Sequence, residues 1–174
     1  VWLWQINIGQ GANRGLASGS GNHPAGWRDP HATTLRGKPM DFALSEEQQM
    51  IFDMAYQFGQ DAIAPNAIEW EKQGSIPKDV LQAAGELGFG AIYVPEEQGG
   101  TGLTRQDATL IFEALSMACP SVAAFISIHN MASWMIDRFG SDTVRAKFLP
   151  KLTTMEEFAS YCLTEPGSGS DAVA

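Results

Sequence analysis

The sequence is poor in the residues that build metal sites and disulfide frameworks. It has 2 cysteines and 3 histidines among 174 residues. Cys119 and Cys162 do not have the paired spacing of a zinc or redox motif, so we expect two reduced thiols. The histidines, His23, His31 and His129, are scattered along the chain and predict no metal centre.

Positive charge is also scarce. Lys and Arg together number 11 against 20 Asp and Glu, which gives a net charge of −9. Binding to nucleic acid depends on clustered Lys and Arg that neutralise phosphates, so we expect no nucleic acid partner. The acidic bulk does not argue against a phosphorylated cofactor, because such a cofactor binds at a local site.

Long hydrophobic runs are absent as well. A membrane-spanning helix needs roughly 18 consecutive apolar residues, and no stretch of this sequence reaches that length. Residues 123–136 come nearest, but His129, Asn130 and Ser133 interrupt them. This stretch predicts a buried helix, and we predict no membrane span.

The first 39 residues differ in composition from the rest. Residues 9–39 are rich in Gly, Ser, Asn, Pro and Arg and show neither helical nor strand periodicity. Such a segment buries too little apolar surface to offset the entropy of ordering it. We therefore predict that residues 1–39 are a disordered or non-native leader and that Met40 is the natural start.

From residue 40 onward the sequence predicts a bundle of helices. Ser45 with Gln48, and Thr104 with Asp107, have capping-box spacing and indicate two helix starts. Apolar residues recur behind them at intervals of three and four, which gives each helix one apolar face. These faces comprise Ile51, Met54, Ala55, Phe58 and Ala62 in the first helix, and Leu110, Ile111, Ala114, Leu115 and Ala118 in the later one. Further helix boundaries are predicted at Pro65, Pro77, Gly88, Pro120, Gly140 and Ser141.

The helix that starts at Pro120 is apolar nearly all round. One stripe comprises Phe125, Ile128, Ala132, Met135, Ile136 and Phe139, and other apolar residues lie outside it. This pattern predicts a central helix that neighbours cover on every side. His129 and Asn130 fall in its middle and need hydrogen-bond partners if they are buried. Two interpretations stay open for them: a structural pair, or one wall of a substrate cavity.

The last stretch of the sequence combines a strand-like run with a turn of small residues. Phe158, Tyr161 and Leu163 belong to an apolar, strand-like run, and Glu165-Pro166 ends that run. Gly167 and Gly169 then alternate with serines, so the backbone can approach a ligand closely and present its N–H groups to an anion. The alternative is an ordinary surface turn.

Three groups of residues resemble motifs of the acyl-CoA dehydrogenase family. Residues 162–171 (CLTEPGSGSD) resemble its flavin-site signature. Residues 87–90 (LGFG) with 94–103 (VPEEQGGTGL) resemble its first loop motif, and Phe139-Gly140 with 147–150 (KFLP) resembles the segment before the flavin strand. The resemblance covers residues 40–174. It is greatest to the branch that acts on isobutyryl-CoA.

The resemblance implies a mainly α fold in which a helical bundle is followed by the first strand of a truncated β-barrel domain. The domains would be residues 1–39 as leader, 40–157 as helical domain and 158–174 as the start of the barrel. It also implies that FAD is bound by Tyr161, Cys162, Leu163, Thr164, Gly169 and Ser170. Ser170 would touch the thioester substrate too, and Glu165 would point away from the cofactor.

The family reaction oxidises an acyl-CoA to its 2,3-enoyl-CoA and passes electrons to an electron-transferring flavoprotein. The catalytic glutamate of the family matches no residue here, so we expect an inactive N-terminal fragment of an enzyme that is a homo-oligomer at full length. The resemblance implies a cytoplasmic location in bacteria and the mitochondrial matrix in eukaryotes. Three alternative hypotheses stay open: an acyl-CoA oxidase fragment, a non-catalytic helical interaction module, and an unrelated helical protein whose Gly-Ser turn binds phosphate.

Overall fold

The computed structural model describes residues 43–171, and these fold into helices joined by short connections. The α-helices are α1 Glu46–Phe58, α2 Ala67–Gln73, α3 Lys78–Glu86, α4 Arg105–Ala118, α5 Pro120–Phe139 and α6 Asp142–Thr153. A π-helical turn at Gly59–Ile63 and a 3₁₀ turn at Glu96–Gln98 complete the helical elements of this range. The mainly α fold class is thereby confirmed. The predicted leader, residues 1–39, lies outside the described residues.

The predicted helix starts are confirmed by their hydrogen bonds. The Ser45 hydroxyl accepts from the Gln48 N–H at 3.1 Å, and the Gln48 side chain accepts from the Ser45 N–H at 3.2 Å. Thr104 and Asp107 exchange the equivalent bonds at 3.2 and 3.0 Å. Each box satisfies backbone donors that the helix itself cannot pair. Local sequence therefore determines where α1 and α4 begin.

The stretch between α1 and Pro65 departs from the sequence prediction. The apolar spacing predicts one α-helix up to Pro65, but α1 ends at Phe58 and a π turn follows. Gly59 is buried there against α4, and a Cβ on it would lie 3.1 Å from the Ala118 Cβ. A π turn adds a residue to one helical turn and re-aims the chain. We attribute it to this close approach of α1 and α4, which spacing within α1 could not reveal.

The core lies between α1, α4 and the first half of α5, with α3 and the turn after it packed alongside. Its members are apolar and almost fully buried: Ala55, Ile63, Leu81, Ala84, Phe89, Ile92, Ala108, Ile111, Ala114, Leu115, Val122, Ala123 and Ile126. The predicted apolar face of α4 supplies three of them. Burial of each Val, Leu, Ile or Phe side chain contributes roughly 1.5–3 kcal/mol, and the alanines contribute less while they let the helices approach closely.

Within residues 43–171, helix α5 is not covered on every side, contrary to the sequence prediction. Its buried residues are Val122, Ala123, Ile126, His129, Asn130, Ala132 and Ser133. The predicted stripe lies largely outside this face, because Phe125, Ile128 and Phe139 are 36%, 41% and 73% exposed. Apolar residues all round a helix cannot reveal which side lacks a neighbour. We call the side bearing Phe125 and Ile128 the open face of α5.

The predicted terminal strand is not formed in the described residues. Residues 158–164 have no regular secondary structure and pair with no neighbouring strand, and the one bridge in the range 43–171 is local, between Glu165 and Ser168. A β-strand is defined by its hydrogen-bonded ladder, and a strand-like run of apolar residues does not by itself supply a partner strand. The helical part of the fold prediction is right, and the barrel strand is unconfirmed.

Gly90 allows the turn after α3 to pack directly on the segment after α6. A Cβ on Gly90 would lie 2.7 Å from the Met155 Cγ and 2.8 Å from the Thr153 carbonyl oxygen. Because one of these atoms is backbone, we expect Gly90→Ala to lower the free energy of unfolding by about 1–2 kcal/mol through overpacking. Urea unfolding measures this. Gly74→Ala is the comparison variant, because Gly74 has a left-handed backbone but a Cβ there would meet no other atom. If Gly90→Ala does not lower the free energy of unfolding, the packing argument is wrong.

Candidate functional site

The candidate site comprises the open face of α5 and the terminal segment, residues 158–171. The two meet at Phe158, whose ring lies edge-on to Phe125 with centroids 5.5 Å apart and to His129 with centroids 6.2 Å apart. The Lys78 ammonium lies 5.8 Å from the Phe158 centroid. Edge-to-face aromatic pairs contribute about 0.5–1.5 kcal/mol beyond the area they bury. The start of the terminal segment is thus attached to α5 by its aromatic side chain.

A buried histidine makes the second attachment. His129 is fully buried, its Nε2 lies 2.9 Å from the Leu152 carbonyl oxygen, and its Nδ1 lies 3.1 Å from the Ala159 backbone nitrogen. Burial lowers the pKa of the imidazole, and the Leu152 carbonyl opposes this shift in part. His129 is therefore the neutral structural partner of two backbone groups, on α6 and on the terminal segment.

Asn130 attaches the turn after α3 to the same helix. Its amide nitrogen donates to the carbonyl oxygens of Phe89 and Ile126 at 2.6 and 2.9 Å, and its oxygen accepts from the Ile92 N–H at 2.6 Å. The Ile92 N–H can only donate, which fixes the orientation of the amide. Of the two interpretations of His129-Asn130, the structure supports the pair with satisfied hydrogen bonds, since both side chains are buried and bonded.

The residues predicted to bind a cofactor lie together on the terminal segment. Tyr161 is partly buried, whereas Cys162, Leu163, Thr164, Gly169 and Ser170 are exposed. Within the described part of the chain, the hydrogen bonds of residues 160–171 are local. Glu165 and Ser168 exchange backbone bonds at 2.9 and 3.1 Å, and the Ser168 hydroxyl donates to the Asp171 carbonyl oxygen. Within the described residues, the hydroxyls of Thr164 and Ser170 form no hydrogen bond, so they are available to a ligand.

The turn itself has room for a ligand at close range. A Cβ placed on Gly167 or on Gly169 would meet nothing within 4 Å. Glu165 is exposed and contributes its backbone to closing the turn. Unpaired backbone N–H groups and two hydroxyls in a glycine-containing turn form a donor set that suits a phosphate or the polar edge of an aromatic ring system. The residues present therefore fit the group that the sequence motif predicts.

Two features were not predicted from the sequence. The Ser133 hydroxyl is buried and has no hydrogen-bond partner in the structure. A cavity of about 300 Å³ lies between α1, the turn after α3 and α4, and its lining includes Met50, Met54, Leu103 and Glu47. None of the predicted cofactor residues lines it. Both features result from packing between elements distant in sequence, and no local pattern indicates them.

A model of the acyl-CoA dehydrogenase N-terminal domain matches residues 45–156. The chain belongs to the acyl-CoA dehydrogenase family. Its helical part, from the cap of α1 to the residue after Met155, therefore corresponds to that N-terminal domain. The terminal segment, residues 158–171, begins just after this match ends, whereas the open face of α5 lies within it.

Individual relatives agree with this membership. The chain is 51% identical over 131 residues to the mitochondrial isobutyryl-CoA dehydrogenase of Bos taurus, covering 75% of this chain and 32% of the relative. It is 54% identical over 129 residues to the mitochondrial isobutyryl-CoA dehydrogenase of Dictyostelium discoideum, covering 74% of this chain and 31% of that relative. The chain thus spans about a third of the length of the curated relatives it matches.

A solved structure shows the same helical arrangement. The FAD complex of PigA superposes with a TM-score of 0.70 at 31% sequence identity, covering 76% of this chain and 36% of that one. None of the helices in residues 43–171 is long and apolar enough to cross a bilayer. The family match, over residues 45–156, does not depend on the terminal segment.

Proposed function

We propose that this chain is the N-terminal part of an FAD-dependent acyl-CoA dehydrogenase that oxidises a short or branched-chain acyl-CoA to the 2,3-enoyl-CoA. The observation that carries the proposal is the family match over residues 45–156 directly followed by an exposed donor set at residues 161–170. The identity of 51–54% to isobutyryl-CoA dehydrogenases supports the branched substrate. The domain boundaries stay those predicted from the sequence.

The terminal segment would bind the cofactor. Backbone groups of residues 161–164 and the Thr164 hydroxyl would meet the polar edge of the flavin ring, and Gly169 and Ser170 would lie by the phosphates. FAD, when bound, supplies the acceptor for the hydride that leaves the β-carbon of the substrate. The contribution of this segment would be to present backbone and hydroxyl donors that stabilise negative charge on the polar edge of the ring. The FAD complex of a structural neighbour supports this assignment.

The open face of α5 would form one wall of the acyl cavity. Phe125 and Ile128 are exposed, the Phe125 ring contacts Phe158 of the terminal segment, and an apolar wall suits a short hydrocarbon chain. The Ser170 hydroxyl would touch the thioester. Removal of the α-proton needs a carboxylate base, and none of the described residues matches the family's glutamate. We propose that the base belongs to a part of the enzyme that this chain does not contain.

The proposal extends to partners and location. Electrons would pass to an electron-transferring flavoprotein, and the complete enzyme would be a homo-oligomer. A eukaryotic source would place it in the mitochondrial matrix, in line with the mitochondrial isobutyryl-CoA dehydrogenases of Bos taurus and Dictyostelium discoideum, and a bacterial source would place it in the cytoplasm.

The complete gene product tests the proposal. We expect it to purify with a flavin absorbance band and to reduce an electron-accepting dye when isobutyryl-CoA is added. Oxygen consumption without dye would identify an acyl-CoA oxidase instead. A colourless protein that cannot be reconstituted with FAD would contradict the proposal and favour a non-catalytic helical module.

The Thr164 hydroxyl offers a local test. Thr164→Val removes the hydroxyl with little change in volume, and we expect FAD to bind about 5- to 10-fold more weakly, since one hydrogen bond is worth about 1 kcal/mol net. Fluorescence titration of the apoprotein measures the affinity. Thr143→Val, at an exposed position near the start of α6, is the matched control and should leave it unchanged. Equal affinities for both variants would remove Thr164 from the site.

A further inference from the structure

The two ring nitrogens of His129 have opposite hydrogen-bonding roles. The Leu152 carbonyl oxygen can only accept, so Nε2 must carry a proton. The Ala159 N–H can only donate, so Nδ1 must present its lone pair. His129 is therefore held as one neutral tautomer. Its acceptor side holds the terminal segment, and its donor side holds a carbonyl group at the end of α6.

The bond from Ala159 is the last long-range hydrogen bond before the predicted flavin residues. Within residues 43–171, the bonds after Ala159 join only residues of the turn to one another. The attachment before it is the Glu157 N–H, which donates to the Lys151 carbonyl oxygen at 3.1 Å. Tyr161, the first predicted flavin residue, lies two residues after Ala159. The direction in which the flavin segment leaves the helical domain therefore depends on this bond and on the Phe158 ring.

We propose that His129 is a positioning residue for the flavin site: its Nδ1 fixes Ala159 and thereby orders residues 161–164 before the cofactor binds. The inference rests on the proposed function, because it assumes that these residues bind FAD. It assigns His129 no contact with substrate or cofactor. A segment ordered in advance loses less conformational entropy on binding, and this gain appears as affinity.

Two substitutions separate the two sides of the imidazole. The oxygen of asparagine is bonded to Cγ, as Nδ1 is, so His129→Asn retains an acceptor near Ala159 and loses the donor to Leu152. The amide nitrogen of glutamine lies one atom further out, as Nε2 does, so His129→Gln retains the donor and loses the acceptor. Both variants remove one buried hydrogen bond and the aromatic ring, so a purely structural role predicts similar effects from both.

The proposal predicts that FAD affinity follows the acceptor. In the complete gene product we expect His129→Gln to weaken FAD binding about tenfold, in line with one lost hydrogen bond to a neutral group, and His129→Asn to weaken it less. Hydrogen exchange of the Ala159 amide in the FAD-free protein supplies a second readout, independent of the cofactor. It should become faster in His129→Gln and stay protected in His129→Asn.

A change on the other partner tests the same bond if either core variant fails to fold. Ala159→Pro removes the N–H from the terminal segment without altering α5, and Ser160→Pro is its neighbour control because the Ser160 N–H makes no hydrogen bond in the structure. We expect weaker FAD binding and faster exchange at residues 161–163 in Ala159→Pro alone.

The outcomes distinguish this inference from the proposed function. If the unsubstituted gene product binds no FAD, the proposed function fails, and the inference fails with it even if the exchange data confirm the bond at Ala159. Suppose instead that the unsubstituted product binds FAD. If His129→Asn and His129→Gln then have equal FAD affinities, or if Ala159→Pro and Ser160→Pro do, the proposed function stands and the positioning role is overturned. Weakened binding in His129→Gln and Ala159→Pro alone supports the inference.

Discussion

Asn130→Asp is expected to lower the free energy of unfolding by about 3–5 kcal/mol near neutral pH, the cost of an uncompensated charge in the core. The change is isosteric, so it opens no cavity. It replaces the amide nitrogen, which lies 2.6 Å from the Phe89 carbonyl oxygen and 2.9 Å from that of Ile126, by an oxygen that repels both. Urea unfolding followed by tryptophan fluorescence measures the loss, because Trp70 is buried in the core.

Ser133→Ala is the matched control on the same helix. The Ser133 hydroxyl is as buried as the Asn130 amide but has no partner, so its removal gives up no hydrogen bond. We expect its free energy of unfolding to be unchanged or slightly higher, since an unsatisfied buried polar group is destabilising. An Asn130→Asp variant within 1 kcal/mol of the unsubstituted protein would show that the three bonds of Asn130 do not hold the turn after α3 in place.

The contrast between these residues indicates what the sequence could and could not predict. The capping boxes at Ser45 and Thr104 were predictable because both partners lie three residues apart, and the Gly88 helix end was predictable because a positive φ, here +82°, favours glycine. The partners of Asn130 in the turn after α3 lie 38 and 41 residues away, and those of His129 lie 23 and 30 away. A polar pair in an apolar helix predicts that partners exist but does not identify them.

The candidate site shows the same limit. The motif at residues 162–171 predicts which residues would face a cofactor, because it depends on residue types in one short stretch. The sequence did not predict that α5 leaves Phe125 and Ile128 exposed, since a helix that is apolar all round does not indicate where its neighbours are. Met155 is a further case: this residue after α6 is fully buried at a positive φ of 56°, and no local pattern in the sequence indicates it.

A loss of stability between neutral and mildly acidic pH is the second large effect we expect, and it originates at His129. Burial lowers the pKa of this imidazole in the folded chain, whereas an unfolded histidine titrates near 6.5. Above about pH 6.5 both states are neutral, so the full stability is present. As the pH falls from there towards the lowered pKa, only the unfolded state takes up the proton. Stability should then fall by up to about 1.4 kcal/mol per pH unit.

Urea unfolding at about pH 7 and about pH 5 measures this slope, and His129→Asn isolates it, because asparagine does not titrate in this range. We expect the unsubstituted protein to lose up to about 2 kcal/mol more than His129→Asn between these values. The hydrogen bonds from Thr104 lower the pKa of Asp107, so the stability that Asp107 contributes is lost only below the ordinary carboxyl range, outside the window between pH 7 and pH 5.

Parallel pH profiles for the two proteins would mean that the folded state accepts the proton on Nδ1 at little cost. That result would require Ala159 to move away from His129, and the bond that we assign to the flavin segment would then be too weak to position it.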